Sequence, residues 1–142
     1  MNRRSFIRIG LAGTATGIIA PQTVLAGAGG SNINQHALAG GVYYTKESPG
    51  RWSKKAAPHL PVLKKTDSGI QVTTGHPMNA GKHWIVKHMI LDSNFKFIGE
   101  KVFDPTIDKA AISDHTLKGV TGTVYALSVC NLHDTWLSSI EI

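Results

Sequence analysis

One cysteine and four of the seven histidines of this chain form a pattern that suits a transition metal. Cys130 and His133 lie three residues apart, so a thiolate and an imidazole could face the same small ion. Three further imidazoles, those of His59, His76 and His83, lie upstream. The pattern predicts a metal protein, although the Cys-x-x-His pair alone would also suit structural zinc or a buried thiol beside a surface imidazole.

The first 26 residues have the order of an export signal. Arg3 and Arg4 precede a mildly apolar stretch of about a dozen residues, and small residues follow before Gly27. Two adjacent arginines followed by Ser-Phe-Ile resemble the twin-arginine signal. The apolar stretch is shorter than the ~20 residues of a membrane-spanning helix, so stable membrane insertion is not expected. We predict that residues 1–26 are a twin-arginine signal peptide and that the mature protein is periplasmic.

Export changes the interpretation of the charge and of the cysteine. The chain has a net charge of +6, but three arginines and none of the nine acidic residues lie in the predicted signal, which leaves +3 on the mature protein. So mild a charge does not predict a nucleic-acid partner. The single cysteine cannot form an internal disulfide, and a free thiolate in an oxidising compartment would be open to oxidation. Binding to a metal would protect it.

Composition divides the mature chain into two parts. Residues 27–50 are rich in glycine and alanine and predict a flexible lead-in, in which residues 42–45 form a β-prone run that could dock as an edge strand. Residues 51–142 predict one domain with an ordinary apolar core. Short runs rich in β-branched and aromatic residues predict strands at 60–63, 69–74, 83–91, 95–103, 122–130 and 136–142.

Six or seven short strands without sustained helical periodicity predict an all-β sandwich. Residues 106–119 are polar, and we expect an irregular segment there, with His115 in a polar loop. The five candidate ligands all fall at predicted strand ends or in loops, where a rigid sandwich can present a site. His88 lies five residues after His83 in one predicted strand, so it should point to the opposite face.

Three segments of the chain carry a family resemblance. They are His59-Leu60-Pro61-Val62, then His76-Pro77-Met78 leading to His83-Trp84-Ile85, and finally residues 125–133 with Trp136. In order and spacing they resemble the iron domain of superoxide reductases, also called neelaredoxins and, with a second iron domain, desulfoferrodoxins. The resemblance implies an immunoglobulin-like β-sandwich of about seven antiparallel strands. It further implies one iron ion per chain, with four equatorial imidazoles and one axial thiolate, supplied by His59, His76, His83, His133 and Cys130.

The activity implied by the resemblance is the reduction of superoxide to hydrogen peroxide at Fe2+/Fe3+. An anionic thiolate would favour release of peroxide, and backbone N–H groups in the Cys130 turn would tune the sulfur's charge. Zinc cannot supply one-electron chemistry. Because the chain has a single cysteine, it lacks a rubredoxin-like second centre, and an external electron-donor protein is implied. The resemblance also allows a homo-oligomer.

The chain departs from the family pattern around the first and last histidines. Family members usually carry Glu-Lys directly before the first histidine, whereas this chain has Ala57 and Pro58. Lys54 and Lys55 are therefore the candidates for the lysine near the open position of the iron. Asp134 replaces the glycine that commonly follows the last histidine, where it could hydrogen-bond an imidazole, repel superoxide or shuttle protons. The loop before the third histidine is one residue longer than usual.

Two alternatives remain open at the level of the sequence. A cupredoxin-like copper electron carrier would suit the Cys-x-x-His turn, although the position five residues after His133 is Ser138 and not a weakly bound methionine. A catalytically weak iron-binding domain would follow if the departures near the open position remove the activity. The metal content and its spectrum distinguish these alternatives.

Overall fold

Alternating burial of side chains marks several strands of the sandwich in the computed structural model, which describes residues 32–142. The predicted signal peptide and the start of the predicted lead-in lie outside this range. In the described part, seven strands run antiparallel in two sheets, which confirms the all-β prediction. The strands are β1 (Val62–Lys65), β2 (Gly69–Thr74), β3 (Ile85–Leu91), β4 (Phe97–Val102), β5 (Ala111–Thr116), β6 (Thr123–Cys130) and β7 (Thr135–Glu141).

The sheet order places the candidate ligands at one region of the fold. One sheet has the order β1-β2-β5 and the other the order β4-β3-β6-β7. The connection from β2 to β3 passes from the first sheet to the second, and β6 and β7 are joined by a short turn. Ile85 at the start of β3 pairs with Cys130 at the end of β6. The β2–β3 connection and the β6–β7 turn therefore meet at the same end of the two central strands of the larger sheet.

Two apolar clusters fill the interior. The larger includes Ile70 and Val72 from β2, Ile90 from β3 and Val124 from β6, all fully buried. A smaller cluster of Ile85, Phe103, Ala111 and Cys130 lies at the end that carries the candidate ligands. Because the thiol belongs to this cluster, the packing of the core fixes the position of its sulfur.

A chain of hydrogen-bonded polar side chains crosses the interior between the sheets. Nε2 of His88 lies 2.9 Å from Oγ1 of Thr74, which donates to Oγ of Ser128, also at 2.9 Å. On the other side, Nδ1 of His88 lies 2.8 Å from Oγ of Ser113, which lies 2.8 Å from Nε2 of His115. His88 is therefore a satisfied core residue. His115 lies in β5, so the expectation of a polar loop there was wrong.

Removal of the Thr74 hydroxyl should destabilise the fold. We expect Thr74→Val to lower the free energy of unfolding by about 1–3 kcal/mol, because the isosteric side chain leaves Nε2 of His88 without its partner. Thr73→Val is the matched control, since Thr73 is only partly buried on the other face of β2. Urea unfolding of both variants measures the effect, and equal midpoints would contradict it.

Three short helices precede the first strand, and the earliest is a 3₁₀ helix at Ile33–Gln35. A 3₁₀ helix spans Gly50–Lys55 and the α-helix α1 spans Ala56–His59. The strand expected at 60–63 is shifted to Val62–Lys65, so His59 ends a helix and does not directly precede a strand. None of the helices among residues 32–142 has the length and apolar character needed to cross a membrane.

Residues between the two 3₁₀ helices contact the larger sheet through Tyr44. This fully buried residue forms an isolated parallel bridge with Trp136 of β7. Its backbone N–H donates to the carbonyl of Thr135 at 2.9 Å, and Leu137 donates to the carbonyl of Tyr44 at 2.8 Å. An edge strand was expected at 42–45, and the structure has this isolated bridge there instead. The boundaries at residues 26 and 50 stay predictions.

Candidate metal centre

His59 presents one ring nitrogen towards the other candidate ligands. Its Nδ1 lies 2.7 Å from the carbonyl oxygen of Lys55, one helical turn earlier, which assigns the proton to Nδ1. Its Nε2 is buried and has no hydrogen-bond partner. Among the described residues it is the buried side-chain polar atom left unsatisfied, and burial of such an atom is unfavourable unless a further group occupies the position. A metal ion is such a group.

The β2–β3 connection supplies two more imidazoles. Nδ1 of His76 lies 2.6 Å from the carbonyl of Pro77, so its Nε2 is likewise free to bind. His83 closes a tight turn by exchanging two backbone hydrogen bonds with Asn79, each 3.0 Å long. Gly81 occupies a positive φ of 72° within this turn, a conformation that glycine adopts readily. The turn therefore aims the ring of His83 back towards His76.

The end of β6 supplies the thiol and the following turn supplies the last imidazole. Sγ of Cys130 accepts a hydrogen bond from the backbone N–H of Leu132 at 3.5 Å, a contact of the kind expected to moderate the sulfur's charge. The side chain of Asn131 joins this turn to the β2–β3 connection. Its Oδ1 accepts from the backbone N–H of Trp84 and its Nδ2 donates to the carbonyl of Lys82, both at 3.0 Å.

The five candidate donors converge. Nε2 of His83 lies 3.1 Å from Nε2 of His76, 3.1 Å from Sγ of Cys130 and 2.9 Å from Nδ1 of His133. The donor atoms of His59, His83, Cys130 and His133 all lie within 4.8 Å of one another. His76 adjoins this group of four, with its ring centroid 4.5 Å from that of His59.

The spacing of the donors fits a single ion. Two nitrogens that bind one ion at about 2.1 Å and at right angles to each other are about 3.0 Å apart, close to the distances around His83. The donor set of imidazoles and a thiolate suits iron, zinc or copper and does not suit magnesium or calcium. The residues present therefore fit a transition-metal ion held at the donor atoms of His59, His76, His83, Cys130 and His133.

The electrostatic environment keeps the imidazoles in the neutral form that a metal requires. Burial lowers the pKa of His59 to about 4. Burial is also the main cause of the lowered pKa of His76, His83 and His133. Neutral imidazoles bind a metal without first releasing a proton, so the folded chain is prepared for an ion at neutral pH.

The two lysines proposed from the sequence lie on the 3₁₀ helix beside the site. Both are exposed. The backbone carbonyl of Lys55 orients His59, and its positive charge is among the causes that lower the pKa of His83 and His133, after burial. The direct contribution of Lys55 is thus through its backbone, and a role for either ammonium group stays a prediction.

The carboxylate of Asp134 is engaged away from the imidazoles. It accepts hydrogen bonds from Nε1 of Trp52 at 2.8 Å and from the guanidinium of Arg51 at 2.5 Å. The Arg51 hydrogen bond is the main cause that holds the pKa of Asp134 below its usual range. Of the three roles considered for this carboxylate, hydrogen bonding to a ligand imidazole is not seen.

Trp52 and Trp136 are contacts of the site that sequence reasoning did not assign. The ring of Trp52 meets that of His133 edge to face, with centroids 4.6 Å apart. The fully buried Trp136 donates from Nε1 to the carbonyl of His133 at 2.8 Å and stacks on His59 at 5.7 Å. In the sequence Trp136 contributes only to the family resemblance, and Trp52 carries no signal because its partner lies about 80 positions away.

Comparison with known proteins yields structural relatives only. No family model and no curated protein matches the chain. A variant of the superoxide reductase (neelaredoxin) from Ignicoccus hospitalis superposes with a TM-score of 0.59 at 25% identity, covering 71% of this chain and 93% of that one. A superoxide reductase solved in the oxidised state gives 0.50 at 26% identity, covering 62% and 90%. A putative superoxide reductase from Thermotoga maritima gives 0.51 at 23% identity, covering 60% and 85%. This chain therefore has the immunoglobulin-like sandwich fold of the superoxide reductases.

Proposed function

We propose that this protein is a mononuclear iron protein that reduces superoxide to hydrogen peroxide with electrons from an external donor protein. The observation that carries the proposal is the convergence of four imidazoles and one thiolate around the unpartnered Nε2 of His59. Structural similarity to superoxide reductases at 25–26% identity supports the same conclusion. The proposal includes one iron per chain, bound by His59, His76, His83, Cys130 and His133.

The bound ferrous ion would supply the single electron that superoxide takes up, and two protons complete hydrogen peroxide. The chain's own residues provide the setting. Four neutral imidazoles leave the net charge of the centre positive, which favours a small anion. The Cys130 thiolate supplies electron density, and the N–H of Leu132 moderates it. Arg51 and Trp52 donate hydrogen bonds to the carboxylate of Asp134. The charge of Arg51 offsets the negative charge of Asp134, which would otherwise repel superoxide.

Lys54 and Lys55 are proposed to attract the substrate. Both lie on the exposed 3₁₀ helix that leads into His59. Attraction between exposed charges over several ångströms is screened by salt. The rate of superoxide consumption should therefore fall with ionic strength. Replacing both lysines by alanine should lower the rate at low ionic strength and weaken its dependence on salt.

The proposed export by the twin-arginine route is consistent with iron as the bound metal. The twin-arginine route carries folded proteins, so iron could be inserted before the chain reaches the periplasm. Copper and zinc generally bind sites of this kind more tightly than ferrous iron. Loading before export would therefore favour the more weakly bound metal. Fractionation of cells that express the full chain, with Arg3 and Arg4 replaced by lysine as the control, tests the location.

The decisive experiment combines metal analysis with kinetics. Purified protein loaded anaerobically with Fe2+ should consume superoxide from pulse radiolysis faster than the same concentration of free iron. It should show a ferric-thiolate absorption band after oxidation. If iron-loaded protein consumed superoxide no faster than free iron, the activity would be rejected. Copper in the isolated protein would favour the electron-carrier alternative.

Cys130→Ser tests the thiolate separately. We expect the ferric-thiolate band to vanish, because a serine hydroxyl is neither as soft nor as readily ionised as a thiol. Ser128→Ala is the control, since Ser128 is fully buried on the same strand but bonds to Thr74. Absorption spectra of both iron-loaded variants give the result, and an unchanged band in Cys130→Ser would contradict thiolate ligation.

A further inference from the structure

One short helical segment, residues 50–59, carries one proposed ligand, His59, and contacts another, His133. Its first turn brings Trp52 edge to face against His133, at a centroid distance of 4.6 Å. Its last turn brings the carbonyl of Lys55 to 2.7 Å from Nδ1 of His59. The segment 50–59 therefore links two ligands that are 74 positions apart in sequence.

Asp134 connects this segment to the β6–β7 turn, which carries His133. Its side chain accepts from Nε1 of Trp52 at 2.8 Å and from Arg51, which also lies over the Trp52 ring at 4.9 Å. Its own carbonyl accepts from the backbone N–H of Cys130 at 2.9 Å. Asp134 adopts a positive φ of 59°, which turns the chain sharply directly after His133. Aspartate tolerates this conformation better than most residues.

We propose that the bridge formed by Trp52, Asp134 and Arg51 positions His133 and His59 relative to each other at the metal centre. This inference rests on the proposed metal site. Asp134 and Trp52 are positioning residues, because they act through the two imidazoles and not on the substrate.

The bridge is needed because His133, unlike His59 and His76, is only partly buried. The donor nitrogen of His133 is Nδ1, next to the ring's attachment point, so a small rotation of the ring moves that nitrogen away from the other donors. Nδ1 of both His59 and His76 is held by a backbone carbonyl. For His133 the contact with the Trp52 ring takes that place. Trp52 is itself fixed through the hydrogen bond from its N–H to Asp134.

The test uses Co2+ alone as the probe, because its visible bands report ligand geometry. We expect Asp134→Gly, which suits the positive φ, and Trp52→Phe, which keeps the ring but loses the donor, each to weaken Co2+ binding about 10–100-fold. The bands of the fully loaded variants should also shift. Asp134→Asn keeps an oxygen that accepts from Trp52, so this variant should retain most of the affinity for Co2+. Glu100→Gln, which removes an ion pair with Lys87 on β3 and β4, is the matched control.

Combining the two disruptive changes tests whether they act through one contact. The double variant Asp134→Gly with Trp52→Phe should lose little more affinity than either single variant. Wild-type affinity and wild-type bands in both single variants would overturn the proposal, as would an equal loss in Asp134→Asn and Asp134→Gly. Failure of the unaltered protein to bind Co2+ would instead reject the metal site itself, and with it the proposed function.

Discussion

Replacement of His83 by alanine should lower the affinity for Fe2+ or Co2+ by more than about 100-fold, a larger loss than is expected for a residue that only orients a ligand. The reason is geometric. Nε2 of His83 lies within 3.1 Å of the donor atoms of His76, Cys130 and His133, so it is adjacent to three of the other four donors. Without it, His76 loses the donor that lies between it and the donors at the β6–β7 turn.

Metal analysis of protein purified in parallel measures this effect. His36→Ala is the matched control, because His36 directly follows the 3₁₀ helix Ile33–Gln35 and its ring nitrogen bonds only locally, to the N–H of Leu38. We expect the control to retain its metal and to keep the ferric-thiolate band. Full metal retention in His83→Ala would contradict the proposed ligand set.

The buried imidazole of His88 should make the protein less stable in acid. Its pKa is lowered to about 4, mainly by burial and secondly by the charge of His115, whereas an unfolded chain has its histidines near 6.5. Between these values the unfolded state binds more protons, so stability falls as the pH falls through this window. At about 1.4 kcal/mol per pKa unit, the loss from pH 7 to pH 4 is on the order of 3 kcal/mol.

Urea unfolding at several pH values isolates this contribution. The metal-free protein should lose on the order of 3 kcal/mol more than His88→Gln between pH 7 and pH 4, because the variant lacks the titrating ring. The ligand histidines are present in both proteins, so their contribution cancels in the difference. Parallel pH profiles for the two proteins would show that His88 is not the residue responsible.

Alternating patterns predicted most of the strands but not all of them. The run at 69–74 coincides with β2, where Ile70 and Val72 point into the core. β5 was missed because its inward positions hold Ala111, Ser113 and His115, while the apolar Ile112 faces outward and is 44% exposed. Polar side chains become core residues there only because His88 satisfies Ser113, a partner that a single strand's sequence does not display.

The candidate site was more predictable from sequence than the fold's details. Cysteine and histidine are the side chains that commonly bind transition metals, so all five candidate donors could be named from the sequence, and the structure places them close together. The contacts of Arg51 and Trp52 could not be foreseen. They depend on a 3₁₀ helix with no apolar periodicity and on a partner, Asp134, that only the folded chain brings near.

The wide separation of the donors along the chain also determines when the centre can form. His59 and His133 lie far apart in the sequence. The hydrogen bonds of Asn131 join the β6–β7 turn to the β2–β3 connection, which requires β3 and β6 to be paired. We therefore expect the arrangement of the candidate donors to form late in folding, because closing such distant contacts is slow compared with forming local ones. Uptake of metal by a refolding chain should be limited by the rate at which the sheets assemble, and its release by the rate at which they open.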